Sequence, residues 1–162
     1  MVAFRLFVVV ALCLFAASSI LFEPGVRAQD KDVPYWAAMR FDEVNMRVGP
    51  SAEYPIDWVY KRKGLPVKVI RLREGWRLVE DHEGAQGWIS RSQLTDDLGA
   101  LVIGEGPADM RASASAASNL RWRAQPGVVG KLLQCRESWC EIDVGGRTGW
   151  VQAARLWGAG EP

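Results

Sequence analysis

The chain has 162 residues, with 20 Lys and Arg against 19 Asp and Glu, a single His, three Cys, eight Trp and 16 Gly. A formal charge of +1 lacks the basic surplus that marks most nucleic-acid-binding chains, and this argues against nucleic acid as a partner. One His is too few for most metal or acid–base constellations.

Residues 1–28 open with Arg5, continue as an apolar run over 6–22 and end in Val26-Arg27-Ala28. This is the layout of a secretory signal peptide, with small residues where a signal peptidase reads. Ser18, Ser19 and Pro24-Gly25 crowd the end of the run and favour cleavage over an uncleaved anchor. An uncleaved leader would place the protein at a membrane. Cys13 follows Leu12 rather than a small residue, which disfavours a lipoprotein site. Cleavage removes Arg5, Arg27 and Glu23 and leaves a formally neutral chain, periplasmic or secreted.

One stretch of about fifty-five residues then occurs twice. The first copy runs from Val44 through N-M-R-V-G-P-S-A-E-Y, K-G-L-P-V-K-V-I, R-E-G-W-R-L-V-E and A-Q-G-W-I-S-R-S-Q-L to Leu94. The second runs from Ala108 through A-D-M-R-A-S, P-G-V-V-G-K-L-L, R-E-S-W-C-E-I-D and R-T-G-W-V-Q-A-A-R-L to Leu156. Gly64 matches Gly127, Trp76 matches Trp139 and Trp88 matches Trp150.

Within each copy helical periodicity is absent and short β-rich runs recur. In the first copy they cover 65–72, 76–80 and 87–90; in the second, 128–135, 139–144 and 149–152. Charged and Gly-containing turns separate them, the pattern of a small sandwich or barrel. The Lys61-Arg62-Lys63 cluster precedes Gly64 in a turn and reads as a solvated loop. T-D-D-L-G at 95–99 marks the joint. A unit of about sixty residues has little stability to spare, so packing of one copy on the other is expected.

Cys135 and Cys140 bracket R-E-S-W at a hairpin tip, where cross-strand neighbours come within disulfide range. In an exported chain they read as a structural staple. Two thiols with four residues between them, and His82 in the other copy, make a poor zinc site.

The motifs N-M-R-V-G-P-S-A-E-Y-P-I, K-x-G, E-G-W-R-L-V and G-W-I resemble a bacterial Src-homology-3-like (SH3-like) domain. The resemblance covers nearly all of the chain after the leader, twice. It implies an all-β fold of two tandem small SH3-like open barrels, over 36–95 and 100–159, each with a long first loop. It also implies an extracytoplasmic role in binding a peptide, peptidoglycan or an envelope protein; the alternative is a structural assembly subunit of the cell envelope with no small ligand. The second copy departs from the pattern: Gly49-Pro50 becomes Ser113-Ala114, and Tyr54 has no aromatic counterpart.

Catalysis finds no constellation: no nucleophile elbow, no phosphate loop, and His82 stands in the polar turn E-D-H-E-G. Neither a cofactor nor a metal is expected. Aromatic residues are the better lead, because an exposed Trp or Tyr gives large contact area at low entropic cost. From Trp139 onward, Cys140, Ile142 and Val144 alternate with Trp139, Glu141 and Asp143, which puts Trp139 on the polar face. Trp76 is ambiguous, because Leu78 and Val79 make both faces partly apolar. Trp88 and Trp150 alternate with Ile89 and Val151 and are expected to pack under the neighbouring loop. Tyr54, Trp58 and Tyr60 cluster around the long loop at 47–58, which in the resembling family flanks an aromatic groove for extended peptides. The candidate ligand-binding residues are therefore Tyr54, Trp58, Tyr60, Trp76 and Trp139.

Overall fold

The computed structural model describes residues 31–162, and the expected signal peptide at 1–28 lies outside the described residues. Strands β1 (Tyr35–Met39), β2 (Val44–Arg47), β3 (Ile56–Tyr60), β4 (Pro66–Arg73), β5 (Trp76–Glu80), β6 (Gln86–Ser90) and β7 (Leu94–Thr95) form one antiparallel sheet. Its spatial order is β3-β2-β6-β5-β4-β1-β7. Strands β8 (Gly99–Val102), β9 (Ala108–Arg111), β10 (Leu120–Ala124), β11 (Val129–Arg136), β12 (Trp139–Val144), β13 (Arg147–Gln152) and β14 (Leu156–Trp157) repeat the plan. Their order, β10-β9-β13-β12-β11-β8-β14, is the first order shifted by seven. A single 3-10 turn precedes the last strand of each sheet, at Arg91–Gln93 and Ala153–Arg155. Neither sheet closes, so the fold is all-β with two open barrels in tandem.

Alternation decides which side chains enter each core. In β5 Arg77 and Val79 turn inward while Trp76, Leu78 and Glu80 stay half-buried outside, which resolves the ambiguity at Trp76. In β12 Cys140 and Ile142 are fully buried, and Trp139 lies on the opposite face with Glu141 and Asp143. The coiling of both sheets rests on the same irregularities. Ile70 and Leu133 are extra residues at the equivalent place in β4 and β11, and Asp57 and Arg121 in β3 and β10. Such bulges bend a strand and raise its twist, which lets one strand serve both halves of a small barrel.

The two cores differ in bulk. The first is built on Met39, Val44, Met46, Tyr60, Val67, Val69, Val79 and Ile89. At matching positions the second has Ala108 for Val44, Ala124 for Tyr60 and Gly130 for Val67, so less side chain fills it. The disulfide lies in this leaner module. Cys135 and Cys140 are directly opposite in β11 and β12, bonded, with Cα atoms 4.0 Å apart. The same register in the first module pairs Leu72 with Arg77. Arg77 is buried there and donates to the Tyr35 hydroxyl and to the Arg73 and Trp76 carbonyls.

The modules pack on each other along a seam. Trp36 meets Trp157 edge-on, with centroids 4.9 Å apart, and donates its indole N–H to the Gly160 carbonyl at 2.9 Å. The Lys68 ammonium lies 5.5 Å from the centre of the Trp157 ring, and Arg62 hydrogen-bonds the Gly127 carbonyl. Gly99, the first residue of β8, sits so tightly that a Cβ there would come within 1.9 Å of the Gly64 carbonyl oxygen. Gly158 combines a φ of +93° with a Cβ position 2.5 Å from Pro66, so geometry and space both exclude a side chain.

Candidate functional site

The long loop of the first module is a hairpin extension between β2 and β3, and it carries a run of exposed apolar side chains. Val48, Tyr54, Ile56 and Trp58 are 56, 47, 46 and 59 % exposed. Ile56 and Trp58 belong to β3, the edge strand of its sheet, so no neighbouring strand covers them. The loop is held in shape by its own contacts. Arg47 donates to the Tyr54 carbonyl at 2.6 Å, and the Tyr54 ring lies against Gly49, where a Cβ would be 2.6 Å from the ring carbons. Ser51 accepts from the Glu53 amide and, through its carbonyl, from the Tyr54 amide. An aromatic pair presented on a braced loop costs little to order on binding.

Tyr60 does not join this group. It is 7 % exposed, because alternation from Val59 turns it into the core opposite Val44. Its hydroxyl donates to Asp81 Oδ2 at 2.8 Å, while Asp81 Oδ1 accepts from the amides of Glu83 and Ala85. Burial first, and then the Asp81 carboxylate, push the Tyr60 phenol well above the usual range. Tyr60 is a core residue that anchors the turn at 81–85, not a surface anchor.

The matching hairpin of the second module is arranged differently. Trp122 stands where Trp58 stands, but it packs half-buried on the core and donates its indole N–H to the Thr148 carbonyl at 3.1 Å. Trp139 instead lines a cleft of about 300 Å³ with Pro107, Asp109, Arg111, Gln152 and Arg155. Asp109 is clamped by Arg111 and Arg123, both at 2.9 Å. Arg155 reaches back to the carbonyls of Ile103, Glu105 and Gly106 and so fixes the loop that forms one wall. Trp76, the counterpart of Trp139, is half-buried at the start of β5.

Trp150 is buried, with the Arg136 guanidinium 5.5 Å from its ring centre, and Trp88 is half-buried. His82 is on an exposed turn, 3.9 Å from the Glu83 carboxylate. Among the described residues no three His, Cys, Asp or Glu side chains gather into a metal-binding group.

Sequence reasoning missed Trp122 and the residues around Trp139. For Trp122 a signal was present: it follows Met110 at the spacing at which Trp58 follows Met46. The cleft had none, because Asp109, Arg111 and Arg155 come together only through the sheet order.

One family model agrees with this two-module architecture. A sequence model described as bacterial SH3 domain matches residues 41–96 and again 104–158. The Bacillus subtilis protein YrvJ, provisionally named an N-acetylmuramoyl-L-alanine amidase, is 26 % identical over 159 residues. That alignment takes in 90 % of this chain but 29 % of YrvJ, so the chain spans less than a third of that relative. Among solved structures, NlpC2 from Trichomonas vaginalis aligns over 79 % of this chain and 49 % of its own, with 12 % identity and a TM-score of 0.36. An NlpC/P60 family protein from Bacillus cereus aligns over 75 % of this chain and 55 % of its own, with 12 % identity and a TM-score of 0.34. With two matched copies covering most of its length, the chain belongs to the bacterial SH3 domain family.

Proposed function

We propose that the protein is an exported, non-catalytic binding protein that recognises a peptide, either the peptide part of peptidoglycan or a segment of an envelope protein. The observation that carries this reading is the braced hairpin of the first module, whose Tyr54 and Trp58 are exposed and take no part in the seam contacts described above. An adaptor that used these aromatics only to hold its modules together would have buried them between the barrels. That task falls to Trp36 and Trp157 instead. The cleft at Trp139 offers the second module a smaller, more polar surface of its own. The provisional name of YrvJ, N-acetylmuramoyl-L-alanine amidase, supports peptidoglycan as the first ligand to try. In this reading 36–95 and 100–159 are the two domains and 1–28 is a signal peptide removed on export.

The test is co-sedimentation of the mature protein with purified peptidoglycan and with envelope extract, set against Tyr54→Ala and Trp58→Ala. Binding lost in both variants while their melting curves match the parent supports the reading. Binding unchanged in both variants overturns the site, and peptide-bond or amide hydrolysis of peptidoglycan by the parent overturns the non-catalytic assignment. Intact mass of protein from the envelope fraction should begin near Gln29; a mass that retains 1–28 would make the leader an anchor.

A further inference from the structure

One cross-strand charge pair is closed in the first module and open in the second. Lys68 and Glu80 face each other across β4 and β5, and their charged ends meet at 2.5 Å. Lys131 and Asp143 hold the same register across β11 and β12. Among the described residues no ion pair within 4.0 Å joins them or gives Lys131 another acidic partner. Asp143 is one methylene shorter than Glu80 and commits Oδ1 to the Gly146 amide at 2.7 Å.

Both open residues line a cleft of about 320 Å³ along the seam between the modules. Lys63 and Asp97 bring a second pair of opposite charges from the first module and the joint, and among the described residues Lys63 too has no ion-pair partner. Met39, Leu98 and Val129 add apolar surface, and Gly64, Gly99 and Gly130 leave backbone bare on the walls. The cleft depends on both barrels, and neither Tyr54, Trp58 nor Trp139 lines it.

We propose that this seam cleft is a binding site for a small zwitterion: a free amino acid or a short peptide with unblocked termini. Lys63 and Lys131 face the carboxylate, Asp97 and Asp143 the ammonium, and the apolar residues an aliphatic side chain. A purely anionic ligand would be repelled by the two aspartates and a purely cationic one by the two lysines. The volume lies at the small end of the ~300–1,000 Å³ typical of ligand pockets, which suits a ligand of one or two residues. Opposite charges count for more in a partly enclosed cleft than on an open surface. The site is independent of the peptide surface proposed above, and each can fail without the other.

Titration of the isotope-labelled protein with alanyl-alanine, followed by amide chemical shifts, tests it. Shifts should concentrate at Gly64, Gly99, Gly130 and Gly145, with a Kd near or below about 1 mM. N-acetylated and C-amidated forms of the dipeptide should each bind at least about tenfold more weakly. Asp143→Glu, which restores the longer carboxylate of the closed pair, should weaken binding similarly. If it disturbs its turn, Lys131→Met keeps the aliphatic stem and makes the same test. No shift at these glycines, or equal binding of the blocked and unblocked dipeptides, overturns the proposal.

Discussion

Trp58 and Trp122 occupy the same position in the third strand of their sheets, yet one indole stands in water and the other is tethered to the Thr148 carbonyl at 3.1 Å. Two copies of one element have thus put the same residue to opposite uses. Trp58→Ala should change stability by less than about 0.5 kcal/mol while costing about 2 kcal/mol or more in partner affinity. Trp122→Ala should cost about 3 kcal/mol in folding, because it opens a cavity and leaves the Thr148 carbonyl without its donor. Denaturant titration of both variants checks the contrast, and equal losses would refute it.

Tyr60 and Asp81 give a prediction in the alkaline range. Burial and the Asp81 carboxylate raise the Tyr60 phenol above its unfolded value of about 10. The stability from its hydrogen bond is then fully present below pH ~10 and is lost as pH rises beyond that point. Tyr60→Phe should cost about 1–3 kcal/mol at neutral pH, since a buried carboxylate oxygen loses its donor. The variant should also lose part of the alkaline slope. A parallel pH profile for parent and variant would show that the pair does not titrate with folding.

Glu80 acts at the other end of the scale. The hydrogen bond from Lys68, and then that from Gln86, hold its carboxyl below the usual range. Its contribution is present above the unfolded value near pH 4.5 and fades as pH falls through the lower folded value. The pair is partly exposed, so Glu80→Gln should cost under about 1 kcal/mol at pH 7 and flatten the acid limb. Thermal melts between pH 3 and 7 would measure this.

The disulfide should be protective rather than indispensable. It closes a short loop, for which the chain-entropy model gives about 2 kcal/mol. Thiol titration of the unreduced, denatured protein should find no free thiol in the mature chain. Reduction should lower the stability of the second module first, since its core lacks the bulk of Val44, Tyr60 and Val67. Amide exchange in β11 and β12 should speed up before that in β4 and β5. Uniform loss across both sheets would mean that the seam joins them into one cooperative unit.

The repeat and its turns made the all-β tandem plan legible, because period-two alternation and glycine spacing are local properties. The same alternation placed Trp139 outside and Ile142 inside. It does not separate Tyr60 from the exposed Trp58 two residues before it. Trp58 and Tyr60 point to the same side of β3, but the core ends between them, and that limit is not written in hydrophobicity. The clefts were illegible for a different reason. Asp109 and Arg155 come to line one cleft, and Lys63 and Lys131 another, only after distant segments have been brought together by the sheet order and the seam.

Gly99, pressed against the Gly64 carbonyl, leaves the two barrels no slack. Tandem modules on a loose tether sample many separations and tolerate ligands of many lengths. Here the distance from one module's surface to the other's is set by the backbone itself. If both modules bind as proposed, a polymer with regularly spaced epitopes would engage them together only when its repeat matches that interval. Any side chain at position 99 would change the measuring interval before it changed either surface.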